Sequence, residues 1–437
     1  MKVPKQQPRG TIFDAGGPGR RGFALPPLDV PECDWFRKEP QAFRKDIEGF
    51  PQLSEVEVVR HYTRLSKRNY GIDDGMFPLG SCTMKYNPKI NEEIARWNRF
   101  RDVPPLQPVA SVQGCLGLQW ELQEFLKEIT GMDAYTLQPA AGAQGELAGM
   151  LIIRAYLQDQ GNPRKVILIP DPAHGTNPAS ARLVGYRVEE IPSDSRGCID
   201  LELLRKRMNG DVAAVMLTNP NTLGIFESDI EAICAEVHGK GGLVYCDGAN
   251  LNALVGIVRL GETGIDLLHV NLHKTFSTPH GGGGPGAGPL GVKKGLESYL
   301  PVPRVMREGD RFHWVEDFPK TIGRLHAFYG NFGVTLRAFA YILTNGPEGL
   351  RQVAEGAVLN ANYLRSRLED QLALPFPNRS LHEVVFSDRN LQSTGVRTLD
   401  IAKRLIDYGF HPPTIYFPLI VRGALMIEPT ETETLQE

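Results

Sequence analysis

From about residue 115 to about residue 295 the chain alternates short apolar runs with amphipathic stretches, and this rhythm constrains the fold more than any other feature. GLQWELQEFLKEITG, AQGELAGMLIIRAYLQDQG, DLELLRKRMNG and SDIEAICAEVHGKG have helical spacing, whereas AYTLQ, KVILIP, YRVEEI, VAAVML, GLVYCD and DLLHV are strand-like. Strands that are apolar throughout are buried on both faces, and the helices between them supply the cover. The expected fold is therefore α/β, with a mostly parallel sheet between helical layers. After about residue 320 the helices lengthen, in LRAFAYILTN and PEGLRQVAEGAVLNANYLRSRLED, and LHEVVFSD and TLDIAKRLIDYG follow them. That pattern predicts a smaller C-terminal α+β domain.

The beginning of the chain reads differently. Pro4, Pro8, Pro18, Pro26, Pro27 and Pro31 interrupt any periodic pattern, so an extended arm is expected. Ser54 and Glu57 make a capping-box pattern that predicts a helix from about 55 to 70, stopping at Gly71. The expected organisation is an arm and first helix over 1–75, a large domain over 76–320 and a small domain over 321–437. Thr430 and Glu433 repeat the capping-box pattern and predict a helix beginning near the end of the sequence.

Composition excludes several classes. Of 437 residues, 41% are hydrophobic and 23% charged, which suits a chain with a sizeable core and argues against disorder or a coiled coil. Lys plus Arg is 48 against 51 Asp plus Glu, with no compact basic stripe, so no nucleic-acid partner is expected. Cys33, Cys82, Cys115, Cys198, Cys234 and Cys246 are widely spaced without a CxxC pair, as expected of reduced thiols in a cytoplasmic protein. VAAVML is about a third of a membrane span, and the opening has no secretory apolar stretch, so no membrane association is expected.

In open α/β sheets ligand groups gather at the carboxyl ends of the strands. After AYTLQ comes PAAGAQGE, where the amides near Gly142, Ala143 and Gln144 open a helix and suit a phosphate. After KVILIP comes a loop with His174, followed by Asn177 and Pro178 as an N-cap and N1 pair. VAAVML leads into TNPNTLGIFE with Asn219, GLVYC ends in Asp247 of DGAN with Ala249 and Asn250, and DLLHV is followed by His273 and Lys274. Taken singly, these are a Gly-rich turn, a helix cap and a solvated lysine. Together they match what pyridoxal phosphate requires: a lysine to hold the aldehyde as a Schiff base, a carboxylate to keep the pyridine nitrogen protonated, and helix amides for the phosphate.

Two other motifs carry less. Gly281, Gly283 and Gly286 match GxGxxG, but the stretch contains Pro285 and opens no helix followed by an acid about 20 residues on. His269, His273 and His280 have no supporting glutamate in an HExxH arrangement, so no metal is expected there. Glycines 281–284 suit a backbone passing close to a cofactor or a neighbouring chain.

PGRRG, PLGSCTMKYNP, QPAAGAQGELAG, AHGTNPASA, LTNPNTLGIFE, DGANLNA, NLHKTFSTPHGGGGPGAGP, FYGNFG and HPPTIYFPLIV…MIEPTETE span nearly the whole chain. They resemble the P-proteins of the glycine cleavage system, and NLHKTF with its Gly-rich run is the most specific of them. The resemblance implies an aspartate-aminotransferase-type (fold type I) architecture and a pyridoxal-phosphate-dependent glycine decarboxylase, an oxidoreductase that passes an aminomethyl group to the lipoyl group of H-protein. It also implies Lys274 as the Schiff-base lysine and His174 on the pyridine ring. Asp247 would then face its nitrogen and Gly142 to Gln144 its phosphate, with Asn219, Ala249, Asn250 and His273 as further cofactor contacts. At 437 residues the chain resembles the lysine-bearing subunit of the two-subunit form, which implies a homologous subunit 1 and an α2β2 assembly. Departures occur at Pro104 and Pro105, where the family has His-Pro, and at His326, where it usually has arginine. The alternative is another enzyme of this fold, an aminotransferase or simple amino-acid decarboxylase, or a partner subunit without catalytic function.

Overall fold

The computed structural model describes residues 10–31, 34–44, 47–104, 107–279, 286–377 and 379–437. Pro4, Pro8, Cys33, Pro105, His280, glycines 281–284 and Pro285, which figure in the sequence reading, lie outside the described residues. The chain divides into two compact units, Met1–Gly71 and Ile72–Glu437.

In the first unit the Ser54 capping box forms: Ser54 Oγ accepts from the Glu57 amide at 3.4 Å, and Glu57 Oε2 accepts from the Ser54 amide at 2.9 Å. The helix runs Glu55–Ser66. It stops before Gly71 because Asn69 Nδ2 turns back to cap the Leu65 carbonyl at 3.2 Å. Arg20 pairs with Glu57 within this unit. Phe23 and Leu25 of the arm are 80% and 85% exposed, so the arm does not build a core from its own apolar residues.

The second unit is built on a seven-stranded sheet of β1 (Ala134–Thr136), β2 (Val166–Pro170), β3 (Arg187–Ile191), β4 (Val212–Thr218), β5 (Leu243–Gly248), β6 (Leu267–Val270) and β7 (Leu290–Val292), in the order β1-β7-β6-β5-β4-β2-β3. The pairs β2/β3, β2/β4, β4/β5 and β5/β6 are parallel. β7 runs antiparallel to both β6 and β1. Only β7 escapes the sequence reading, because LGV is too short and Gly-rich to stand out as a strand. Alternation within each strand divides the core. Leu168, Val215, Leu217, Val244, Cys246 and Leu268 face one helical layer, while Ile167, Ile169, Ala214, Met216 and Tyr245 face the other. Each Val, Leu, Ile or Met among them contributes about 1.5–3 kcal/mol by leaving water. The edge strand β3 carries charge at Arg187, Glu189 and Glu190, which discourages further pairing.

The helix Gly142–Asp159 lies across β5 so closely that a Cβ on Gly149 would meet the Tyr245 ring at 2.2 Å. A glycine is required there, and its absence of side chain brings the helix N-terminus down onto the strand ends. A hairpin of β8 (Arg304–Glu308) and β9 (Arg311–Val315) follows the sheet. The helical stretch Phe332–Leu368 is broken at Gly346, with φ 61°, ahead of Pro347, so it comprises the two helices expected here, parted where a Pro ring would clash with the preceding turn. A three-stranded antiparallel sheet, ordered β10 (Val384–Ser387), β12 (Ala424–Ile427), β11 (Thr414–Ile415), packs with the helix Thr398–Asp407. No helix begins at Thr430. That residue has φ 62°, outside the extended region an N-cap needs, and Asn360 Nδ2 donates to the carbonyls of Thr430 at 2.9 Å and Glu433 at 3.1 Å. No helix among the described residues is long and apolar enough to cross a membrane.

Candidate active site

A cavity of about 160 Å³ opens at the carboxyl ends of β4, β5 and β6, lined among others by Gly142, Ala143, His174, Asp247, Asn250 and Lys274. Parallel register explains the grouping: Thr218, Asp247 and His269 are side by side on adjacent strands and project to one face. Lys274 sits in the short helix Leu272–Thr275 directly after β6, and its Nζ donates to the Ser81 carbonyl at 2.8 Å. Gly142 and Ala143 form the first turn of the helix Gly142–Asp159, where amides have no intrahelical partner.

Asp247 is held by several donors. Its Oδ1 accepts from the Ala249 amide at 2.9 Å and lies 3.2 Å from His269 Nε2. His269 Nδ1 in turn meets the Tyr245 hydroxyl at 2.7 Å. Turned to donate, the Asn177 amide lies 3.3 Å from Asp247 Oδ2 and 3.2 Å from both Glu146 oxygens. Asn177 therefore is no N-cap; the helix Thr176–Leu183 starts one residue earlier and buries Asn177 toward two acids. Glu146 is buried beside Asp247, and burial first, then that neighbouring charge, pushes its pKa up to about 8. Near neutral pH Glu146 is thus largely the protonated acid, and Thr176 Oγ1 donates to its Oε1 at 2.8 Å.

Thr176 Oγ1 also lies 2.8 Å from His174 Nδ1, which accepts from the Thr176 amide at 3.3 Å. A neutral ring whose Nδ1 accepts carries its hydrogen on Nε2. Burial, opposed by Asp247, lowers the His174 pKa and favours that neutral form, although the ring stands at the solvent-facing mouth of the cavity. The run Glu146, Thr176, His174 is a hydrogen-bonded path from a buried acid to the rim.

Gly142, Ala143, His174, Asp247, Ala249, Asn250, His273 and Lys274 all line the cavity. Gln144 and Asn219 do not. Gln144 donates its own amide to the Ala141 carbonyl at 3.1 Å and folds its Oε1 back to the Ala140 amide at 2.7 Å. Asn219 spends its Oδ1 on the Glu227 amide at 3.0 Å, behind the strand end, and Thr218 occupies the lining instead. His326 ties a loop: its Nε2 lies 2.6 Å from the Gln138 carbonyl. Pro104 lines a separate aromatic cavity of about 190 Å³ with Phe100, Trp314, Phe328 and Tyr329.

Sequence reasoning missed Glu146, His269 as the partner of Asp247, and Ser81. Glu146 follows the turn at Gly142 by one helical turn, a spacing that could have pointed to it. Ser81 lies far upstream and left no local signal.

The residues present fit pyridoxal phosphate. Thr218 Oγ1 and Asn271 Oδ1 are buried in the lining without a partner among the described residues, as expected of atoms awaiting a polar guest. A Cβ on Gly142 would meet Asn271 Oδ1 at 2.6 Å, so this position keeps the cradle clear. The buried rival, Lys85, is committed elsewhere, 2.7 Å from Glu431 and 2.8 Å from Asn252 Oδ1.

Family models match at residues 144–285, as aminotransferase class-V, and at residues 353–437, as the glycine dehydrogenase C-terminal domain. The chain is 55% identical over 428 residues to a probable glycine dehydrogenase (decarboxylating) subunit 2 of Halalkalibacterium halodurans, covering 98% of this chain and 88% of the relative. A Thermotoga petrophila protein described in the same words is 56% identical, covering 97% and 89%. Among solved structures, a glycine decarboxylase (P-protein) of the glycine cleavage system in inhibitor-bound form superposes with TM-score 0.78 at 22% identity, covering 92% of each chain. A cysteine desulfurase from Thermococcus onnurineus NA1 gives 0.61 at 16% identity, covering 85% of this chain and 92% of the other. These two establish the fold, which is that of the fold type I pyridoxal-phosphate enzymes, and the identities above establish the lineage: the chain belongs to the glycine dehydrogenase (decarboxylating) subunit 2 family.

Proposed function

We propose that this chain is the lysine-bearing subunit of a glycine-decarboxylating P-protein, acting on glycine with pyridoxal phosphate and passing the aminomethyl group to the lipoyl disulfide of H-protein. The observation that carries the reading is that Lys274 and Asp247 line one cavity with the open first turn of the helix at Gly142. Pyridoxal phosphate, when bound, supplies the electron sink that accepts the pair left as carbon dioxide departs. The balance is that one lipoyl sulfur takes the aminomethyl group and the other becomes a thiol, so the disulfide is reduced.

The chain's own residues have separate tasks. Lys274 anchors the aldehyde and, once displaced, moves a proton at Nζ. Asp247, oriented by the Ala249 amide and His269, would hold the ring nitrogen of the bound cofactor protonated. The Gly142 and Ala143 amides, with the helix dipole, hold the phosphate. Neutral His174, at the mouth of the cavity, would contact the cofactor, and the buried acid Glu146 steadies its tautomer through Thr176.

A subunit 1 partner follows from the description of the relatives as subunit 2. We further propose that the two form an α2β2 assembly, and the exposed Phe23 and Leu25 of the arm support a surface made to be covered. Borohydride reduction with peptide mass spectrometry should place the phosphopyridoxyl group on Lys274, and glycine–bicarbonate exchange should depend on lipoylated H-protein. Exchange at full rate by the isolated chain, with light scattering showing only a homo-oligomer, would remove the partner from the proposal. Transamination of glycine without carbon dioxide release would overturn the reaction.

A further inference from the structure

Near Lys274, two glutamates and a histidine are packed together without exposure to solvent. Glu383 precedes β10 and Glu428 follows β12; Val384 pairs with Ile427, so continuing the antiparallel register by one step sets Glu383 opposite Glu428. Both are 0% exposed, as is His382. One short segment reaches both glutamates and Lys274. Ser81, held at φ 66°, gives its amide to Glu383 Oε2 at 2.9 Å while its carbonyl accepts from Lys274 Nζ at 2.8 Å. Two residues on, Thr83 Oγ1 donates to Glu428 Oε1 at 2.5 Å. A non-glycine residue in the left-handed region is costly and persists where the surroundings demand it. Here the strained turn lets a single residue face a carboxyl with its amide and a lysine with its carbonyl.

We propose that Glu383 and Glu428 share a single proton and form the counter-charge near Lys274, acting as positioning residues that set the charge state of its nitrogen. Two carboxylates side by side in a dry site cannot both ionise without a large penalty. One proton between them leaves a single negative charge facing one ammonium, for a sum of zero. If Lys274 Nζ passes its proton to the pair, an amine faces two neutral acids and the sum is again zero. The site thus accommodates both states of the lysine without a buried net charge.

The surrounding groups agree. Burial, followed by the charge of Glu428, raises Glu383 well above the usual carboxyl range, and burial pushes Glu428 up to about 7 against the pull of Thr83 and Lys274. The other charged neighbours of Glu428 are Lys85 and Glu431, which neutralise each other at 2.7 Å. The Cys82 thiol, facing Lys274 and Glu428, is pushed up by burial and so stays neutral. His382 is neutral too: burial, then Lys274, drives it down to about 3. Its Nε2 lies 3.9 Å from Glu383 Oε1 and 4.0 Å from Glu428 Oε1, and neither ring nitrogen has a hydrogen-bond partner among the described residues. The ligand atoms of these three residues fall within 4.8 Å of one another, so a cation is the rival to the shared proton.

This inference rests on Lys274 carrying the cofactor, and the experiment separates the two. In the holoenzyme assembled with subunit 1, the cofactor–lysine absorbance is titrated against pH for the wild type, Glu383→Gln, Glu428→Gln and the double variant. Either single variant keeps one ionisable acid, hence the charge, and should move the midpoint little. The double variant loses the charge, and the midpoint should fall by about one pH unit or more, a tenfold loss of proton affinity. Equal shifts in the singles and the double, or no shift in the double, would overturn the proposal. Should the double variant not fold, infrared difference spectra of the cofactor-free protein carry the test: Glu428→Gln should lose one carboxylic acid band at neutral pH relative to wild type, and retention of every such band refutes a shared proton. Metal analysis showing a stoichiometric divalent ion that vanishes in Glu428→Gln would also overturn it. A borohydride adduct on a different lysine would defeat the cofactor reading while leaving the infrared result standing.

Discussion

Glu146→Gln tests the electrostatics of the site without needing cofactor. Glu146 is 3% exposed, and burial beside Asp247 lifts its pKa from 4.5 to about 8. The folded chain therefore keeps a proton that the unfolded chain releases above 4.5. Because the folded value is the higher one, the penalty is absent below 4.5, grows through the interval and levels off above about 8. At 1.36 kcal/mol per pH unit, it accumulates to about 4–5 kcal/mol across that span. Glutamine is the neutral isostere of the protonated acid, and its oxygen can accept from Ser180 Oγ, now 3.3 Å from Glu146 Oε2. The variant should match wild type in acid and gain on it as pH rises. Between about pH 5.5 and about pH 8.5 the relative gain is about 3 kcal/mol, or about 3–6 °C of Tm for a chain of this size. Differential scanning calorimetry of the cofactor-free proteins at the two pH values measures it, and taking the variant-minus-wild-type difference removes every other titrating group. Parallel Tm profiles would show that Glu146 ionises normally, and the hydrogen-bonded path to His174 would then need redrawing.

Lys274→Ala should abolish decarboxylation and the borohydride-trapped adduct together; a trapped adduct surviving on another peptide would show that the wrong lysine has been assigned. Asp247→Asn removes a buried charge, at a cost of about 3–5 kcal/mol. If that cost falls wholly in the transition state, the rate drops about a hundredfold to a few thousandfold, and near-normal exchange kinetics would mean the ring nitrogen lies elsewhere. For Gly142→Ala, the added Cβ must displace Asn271 Oδ1 from 2.6 Å. Overpacking of about 1–3 kcal/mol should weaken cofactor binding about 5–150-fold in a fluorescence titration, and an unchanged Kd would place the phosphate away from this turn.

What the sequence determined by itself is local and periodic. Runs such as VAAVML and GLVYC are short and continuously apolar, which suits strands buried on both faces. Once those strands exist, Asp247 at the end of one and Lys274 just past the next fall at the same sheet edge, so the pair at the centre of the candidate site was legible before any coordinates. Gln144 and Asn219 stand off the cavity lining for a related reason: position after a strand end gives proximity, but not where a side chain spends its hydrogen bonds. Ala140 and Glu227 claim them. Thr430 likewise has the letters of a cap, yet Asn360 takes its carbonyl and holds it out of cap geometry. Tertiary structure alone decided the rest. His269 meets Asp247 through strand register, and Glu383 reaches Ser81 across 302 residues of sequence. Glu428 joins them only because β10 and β12 pair in one register out of several possible. Such meetings depend on which elements close on which, a choice made by the packing of the whole core, and no short window of sequence contains it.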